Sequence, residues 1–126
     1  MDTLKITGPM QLAYLGDSVY ETAVRYALLE RGEMSLKDYN KIAVKIVSAP
    51  AQYKALKAIE SEFTEEEAET VRRGRNAKGG NVPKSASVEE YRMATGFESL
   101  MGKLYLEKNY DRISYLVKKA IESLGV

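Results

Sequence analysis

The chain has 126 residues, with 19 Lys and Arg against 18 Asp and Glu for a net charge of +1, and 44% apolar and 29% charged residues. That size and balance predict one globular domain over residues 1–126 with one hydrophobic core, and any nucleic-acid partner has to be met by a local patch, not by overall charge. The absence of Cys and His excludes disulfides, thiolate nucleophiles, Cys-ligated metal centres, most serine triads and most histidine-based zinc hydrolysis, which leaves carboxylates, lysines, hydroxyls and tyrosines to carry a reaction.

Helix signals run through the chain and strand signals are few. Thr7-Gly8-Pro9 predicts a helix start, and Leu12, Leu15, Val19, Ala23, Tyr26 and Leu29 recur at helical spacing until Gly32 stops the run. Ser35 is placed to cap a second helix with Leu36, Tyr39, Ala43, Ile46 and Val47 on its apolar face, and Pro50 interrupts it. A third helix carries Tyr53, Leu56 and Ile59. Thr64-Glu65-Glu66-Glu67 has the form of a capping box opening a fourth, with Ala68 and Val71 inward. Residues 74–86 are glycine-rich and polar and read as a loop. Ser87-Val88-Glu89-Glu90 is a second capping box, opening a helix to about Glu107. Asp111 is placed to cap the last helix, with Ile113, Leu116, Val117, Ala120, Ile121 and Leu124 inward. No repeat, interdomain linker, signal-peptide pattern or apolar run of about 20 residues occurs, so the expectation is an all-α cytoplasmic protein without a membrane partner.

Two places break the amphipathic pattern. On the first helix the side opposite the main stripe holds Met10, Ala13, Val24 and Leu28 together with Asp17 and Glu21. A helix apolar nearly all round is central, and a carboxylate on such a face needs a cation, a metal or hydrogen bonds. Alternatively Asp17, and Glu98 of the later helix, are solvated edge residues and Glu21 pairs with Arg25 one turn on. On the later helix Glu98 is flanked by Ala94, Thr95, Met101 and Gly102, small or apolar neighbours on a face that something approaches closely. Gly96 and Gly102, each costing about 1 kcal/mol inside a helix, suggest the same. A third feature is basic: Arg72, Arg73, Arg75, Lys78 and Lys84 fall within thirteen residues containing no acid, just after Glu60, Glu62, Glu65, Glu66, Glu67 and Glu69. Such a loop suits phosphate contact, with Asn76, Asn81 and Ser85 able to add polar contacts; the alternative is a solvated loop that pairs with those glutamates.

The stretch Leu12-Ala13-Tyr14-Leu15-Gly16-Asp17-Ser18-Val19-Tyr20 resembles the ribonuclease III signature, and Thr95-Gly96-Phe97-Glu98-Ser99-Leu100-Met101-Gly102-Lys103-Leu104-Tyr105-Leu106 resembles that family's second motif. Arg72-Arg73-Gly74-Arg75-Asn76-Ala77-Lys78, Val82-Pro83-Lys84 and Tyr91-Arg92 ahead of Thr95-Gly96-Phe97-Glu98 are similar to the Mini-ribonuclease III branch, which lacks a separate double-stranded-RNA-binding domain. The resemblance implies an all-α, homodimeric ribonuclease III-type domain with Mg²⁺-dependent (Mn²⁺ as substitute) hydrolysis of double-stranded RNA, notably the 23S ribosomal RNA precursor, with a ribosomal protein as a conceivable helper. By matching positions it implies that Asp17 and Glu98 are the catalytic, metal-binding carboxylates. Glu21 and Thr95 are expected to support them, and Arg72, Arg73, Arg75, Asn76, Lys78 and Lys84 are expected to contact RNA. Ala13 and Thr95 stand where ribonuclease III has a glutamate and an aspartate, which leaves the metal count open and raises the alternative of a non-catalytic RNA- or ribosome-binding module.

Overall fold

Six helices follow one another in the computed structural model, which describes residues 5–78 and 82–126: α1 Pro9–Glu30, α2 Leu36–Val47, α3 Ala49–Ile59, α4 Glu65–Asn76, α5 Val88–Leu106 and α6 Tyr110–Leu124, with a short 3₁₀ turn, Glu60–Glu62, after α3. Among the described residues there is no strand, and the all-α expectation holds.

Local chemistry explains most of the boundaries. Pro9 opens α1, and Gly32, just past its end, takes φ 120°. The Ser35 hydroxyl accepts from the Asp38 amide at 3.1 Å. Both expected capping boxes form, Thr64 with Glu67 and Ser87 with Glu90. Ser48 ends α2 and caps α3, so Pro50 lies in the first turn of α3, where its missing N–H costs nothing. At α6 the cap is Asn109, whose side chain accepts from the Arg112 amide at 3.4 Å, and Asp111 sits in the first turn instead.

Helix α5 is the centre of the molecule, packed against α1, α3, α4 and α6. Met93, Phe97, Leu100, Met101 and Leu104 are buried along it, and Phe97 meets Tyr20 of α1 edge to face with ring centroids 5.1 Å apart. Glycines set how near its neighbours come. A Cβ on Gly16 would overlap the Glu98 carbonyl, and one on Gly102 would overlap the Leu12 carbonyl, so α1 and α5 cross backbone against backbone. On the other flank a Cβ on Gly96 would lie 2.6 Å from the Val71 carbonyl oxygen of α4.

The faces of α1 are assigned differently from the expected stripe. Its deepest residues are Leu12, Ala13, Gly16, Val19, Tyr20, Val24 and Leu28, so the covered side joins Leu12 and Val19 of the expected stripe to Ala13, Val24 and Leu28 of the side expected to be secondary. Tyr26 and Leu29, expected inward, are 66% and 62% exposed, because the α5 crossing turns them out. Ala68 of α4 is likewise exposed, and Glu67, Thr70, Val71 and Gly74 face inward.

Candidate metal and RNA site

The α1–α5 crossing decides where the two singled-out carboxylates lie. Gly16 immediately precedes Asp17, and the carbonyl that Gly16 touches belongs to Glu98. Asp17 is exposed on the rim, Glu98 is half-buried, and the two carboxyl groups come within hydrogen-bonding reach. Burial, then the charge of Asp17 and the hydrogen bond that the protonated Glu98 carboxyl donates to it, pushes the Glu98 carboxyl up to about 8, against a smaller opposing pull from Gln52. No ion pair reaches either acid among the described residues, and no group of three candidate metal ligands forms there.

Gln52 of α3 is the site neighbour that sequence reasoning missed. It is 2% exposed, and its Nε2 donates to the Val47 carbonyl at 3.0 Å and to Oε2 of Glu98 at 3.4 Å. A glutamine between Ala51 and Tyr53 carries no sequence signal of burial. Tyr20 lies behind the site, its hydroxyl held un-ionised by burial and by the nearby Glu98 charge.

The two supporting residues have other engagements. Glu21 accepts from Arg25 at 3.3 Å, the surface pairing that its spacing allowed. Thr95 is buried and its hydroxyl donates to the Tyr91 carbonyl within α5 at 3.0 Å. Ala13, which stands where ribonuclease III has a glutamate, is buried.

The basic cluster is only partly a loop. Arg72, Arg73, Arg75 and Asn76 occupy the last turns of α4, which runs further than expected because Gly74 is buried against α5, 2.8 Å from the Gly96 Cα if given a Cβ. Arg72 is held by Glu69 through two hydrogen bonds of 2.6 and 2.8 Å, and Arg75 lies 4.0 Å from Glu89. Arg73 lines a 530 Å³ cleft with Lys103, Thr7, Thr70 and Pro9. Lys78 and Lys84 are exposed beyond the helix, and Arg73 is exposed on it; Asn81, one of the polar residues singled out, lies outside the described residues. Among the described residues, Arg73, Lys78 and Lys84 form no ion pair.

Residues 10–109 match the ribonuclease III domain family. Over 114 residues the chain is 46% identical to Mini-ribonuclease 3 of Symbiobacterium thermophilum, covering 90% of this chain and 88% of that one. It is 43% identical to Mini-ribonuclease 3 of Brevibacillus brevis (91% and 86% covered), and 36% identical to that of Streptococcus pneumoniae (98% and 98%). A crystal structure of a Fusobacterium nucleatum protein superposes with a TM-score of 0.82 at 30% identity, covering 94% of both chains. Fold and motif together therefore define a ribonuclease III-type domain. Within that class the chain belongs to the Mini-ribonuclease III family.

Proposed function

We propose that the chain is an endoribonuclease that hydrolyses phosphodiester bonds in double-stranded RNA, with Asp17 and Glu98 holding a divalent metal ion. The observation that carries this reading is the meeting of those two carboxylates across the α1–α5 crossing, with no cationic side chain paired to either among the described residues.

The donor set fits a hard cation. Two like charges held together raise the cost of ionising both, and a cation between them reverses that cost. The ligands are oxygens only, one or two carboxylates being what Mg²⁺ takes when nucleic-acid oxygens and water complete its shell, with Mn²⁺ as a substitute. When bound, such an ion polarises the phosphoryl group and lowers the pKa of an attacking water, which supplies the chemistry that a chain without histidine otherwise lacks. Asp17, on the open rim, faces solvent and substrate. Glu98 is held from behind by Gln52. Because Glu98 holds a proton up to about pH 8 without a cation, metal binding displaces that proton and strengthens as pH rises.

A-form RNA hides its base edges in a narrow major groove, so a duplex is held through phosphates, 2′-hydroxyls and shape. Arg73, Arg75, Asn76, Lys78 and Lys84 are suited to that contact; Arg72 is already engaged by Glu69. A second copy of the chain completes the reading. The outward stripe of α1 forms, with α6, an apolar groove of 390 Å³ lined by Leu15, Val19, Ala23, Tyr26, Tyr110 and Val117. A two-fold pair of sites would address both strands of a duplex. The substrate we assign is the 23S ribosomal RNA precursor, which places the enzyme in the cytoplasm; no described helix is long and apolar enough to cross a membrane.

The test is incubation of purified protein with a long RNA duplex, with Mg²⁺ or with EDTA, for wild type, Asp17→Asn and Glu98→Gln. Cleavage by the wild type in Mg²⁺ is expected, with loss of at least about two orders of magnitude in either variant and duplex binding retained; Glu21→Gln should be milder. Binding without cleavage by the wild type would make the chain a non-catalytic RNA-binding module, and undiminished cleavage by Asp17→Asn would remove the metal assignment.

A further inference from the structure

Gln52 is an expensive residue for its position. Its side chain is almost completely buried, and its Oε1 has no hydrogen-bond partner among the described residues. An unsatisfied buried carbonyl costs about 1–3 kcal/mol, and a Leu or Met would fill the same space without that cost. One of its two amide protons goes to the Val47 carbonyl at the end of α2, which the chain turn at Ser48 leaves without a helical partner. The other goes to Glu98. The side chain thus ties the α2–α3 corner, a rigid part of the core beside Ile46, Ala55 and Leu56, to the carboxylate that faces Asp17.

We propose that Gln52 is a positioning residue for the reaction: anchored on the Val47 carbonyl, its amide holds the Glu98 carboxylate in the orientation that meets Asp17 and receives the cation. The inference rests on the reading of Asp17 and Glu98 as the metal-holding pair. Glu98 needs such a restraint because a glutamate side chain with three rotatable bonds, half-exposed at a helix crossing, has several staggered positions open to it. A neighbour that donates to a metal-holding carboxylate fixes its direction, and removal of such neighbours costs roughly 10–100-fold in metal affinity or activity. A second donor to the same carboxylate, or a smaller residue at position 52, would not reproduce both contacts, because one planar NH₂ group spans Val47 and Glu98 at once.

The experiment uses the whole chain as Gln52→Leu and Gln52→Met, with Mn²⁺ as the probe. Calorimetric titration of Mn²⁺ into metal-free protein should give a Kd about tenfold weaker for Gln52→Leu than for wild type. In RNA cleavage kcat should fall about tenfold with KM within about twofold, because duplex contacts are untouched. If Gln52 serves only to finish α2, the variant will melt at a lower temperature while its Mn²⁺ affinity and kcat stay at wild-type values, and the proposal fails. Should Gln52→Leu not fold, Gln52→Met decides the matter. It fills the same space without an amide, so added Mn²⁺ should raise its melting temperature by less than it raises that of wild type; equal rises overturn the proposal. Absence of Mn²⁺ binding by wild type removes the metal pair itself and Gln52's role with it, an outcome distinct from equal binding by wild type and Gln52→Leu.

Discussion

The carbonyl of Glu98 rests directly on Gly16, in the space where any other residue at position 16 would carry its Cβ. The partner contact, Leu12 on Gly102, is of the same kind one helical turn away. Both obstructing atoms belong to the backbone, so neither can swing aside. Gly16→Ala and Gly102→Ala should each force α1 and α5 apart and cost about 3 kcal/mol or more, and even at temperatures where the protein stays folded they should lower cleavage sharply, because Asp17 and Glu98 separate with the helices. Melting curves and rates on the same preparations check this; an alanine at position 16 with wild-type stability would contradict the crossing.

The proton on Glu98 gives a pH dependence of known sign. In the unfolded chain its carboxyl ionises near the ordinary value of 4.5, whereas in the native state it does so at about 8. Between those values the native protein binds the extra proton, so the contribution of Glu98 to stability declines as pH rises through that window and is constant above it. In EDTA, the melting temperature of Glu98→Gln should therefore gain on that of wild type from about pH 4.5 to about pH 8. Added Mg²⁺ should reduce the gap at high pH. A gap that is independent of pH would place Glu98 in an ordinary solvated setting.

Glu67 has the opposite sign and a different purpose. Arg112 grips it through two hydrogen bonds of 2.8 and 2.9 Å and also donates to the Glu62 carbonyl at 2.7 Å, while Glu67 closes the capping box of α4. That grip holds the Glu67 carboxyl below its usual range. Its stabilisation is present at neutral pH and declines as pH falls through the lowered value. Arg112→Ala leaves a buried carboxylate with one partner fewer and should cost roughly 3 kcal/mol, with cleavage per folded molecule unchanged. Chemical denaturation and a rate at permissive temperature separate the two effects.

The basic segment is tested by salt. Arg73, Arg75 and Lys78 changed together to Ala should weaken duplex binding and reduce the slope of log affinity against log salt by about 2 to 3, near one for each phosphate no longer neutralised. The rate on saturating RNA should change less, since Asp17 and Glu98 are untouched. Arg72→Ala should have a smaller effect on binding, because Glu69 already neutralises it. An unchanged salt slope in the triple variant would make the segment a solvated connection.

How far the sequence carried these conclusions depended on which interactions were local. The capping boxes at Thr64 and Ser87 are set by residues three apart and the stop at Gly32 by one residue, and all were legible; Pro50 marked the α2–α3 boundary, though the break itself falls at Ser48. The motifs around Asp17 and Glu98 marked the family, and the small residues beside Glu98 signalled a close approach. Long-range packing was not legible. Tyr26 and Leu29 fit a helical stripe as well as Val24 and Leu28 do, and only the α5 crossing decides which side is covered. Gly74 reads as a helix breaker, yet it is the residue that lets α4 continue against Ser99 and Gly96, carrying Arg75 and Asn76 onto the helix behind Arg72 and Arg73. Gln52 is buried by partners from the end of α2 and from α5, which no pattern within α3 encodes.

The crossing of α1 and α5 also orders events during synthesis. Asp17 and Glu98 are separated by about eighty residues, so the first carboxylate is complete long before its counterpart exists. At translation rates of about 5–20 residues per second, the ribosome needs roughly 4–16 s to travel between them. Until α5 has emerged, α1 has nothing to seat Gly16 against, and the acid it carries is an ordinary solvated aspartate. On the proposed assignment of Asp17 and Glu98, the paired site cannot form beside the structured RNA of the ribosome until α5 has emerged and is free to fold against α1.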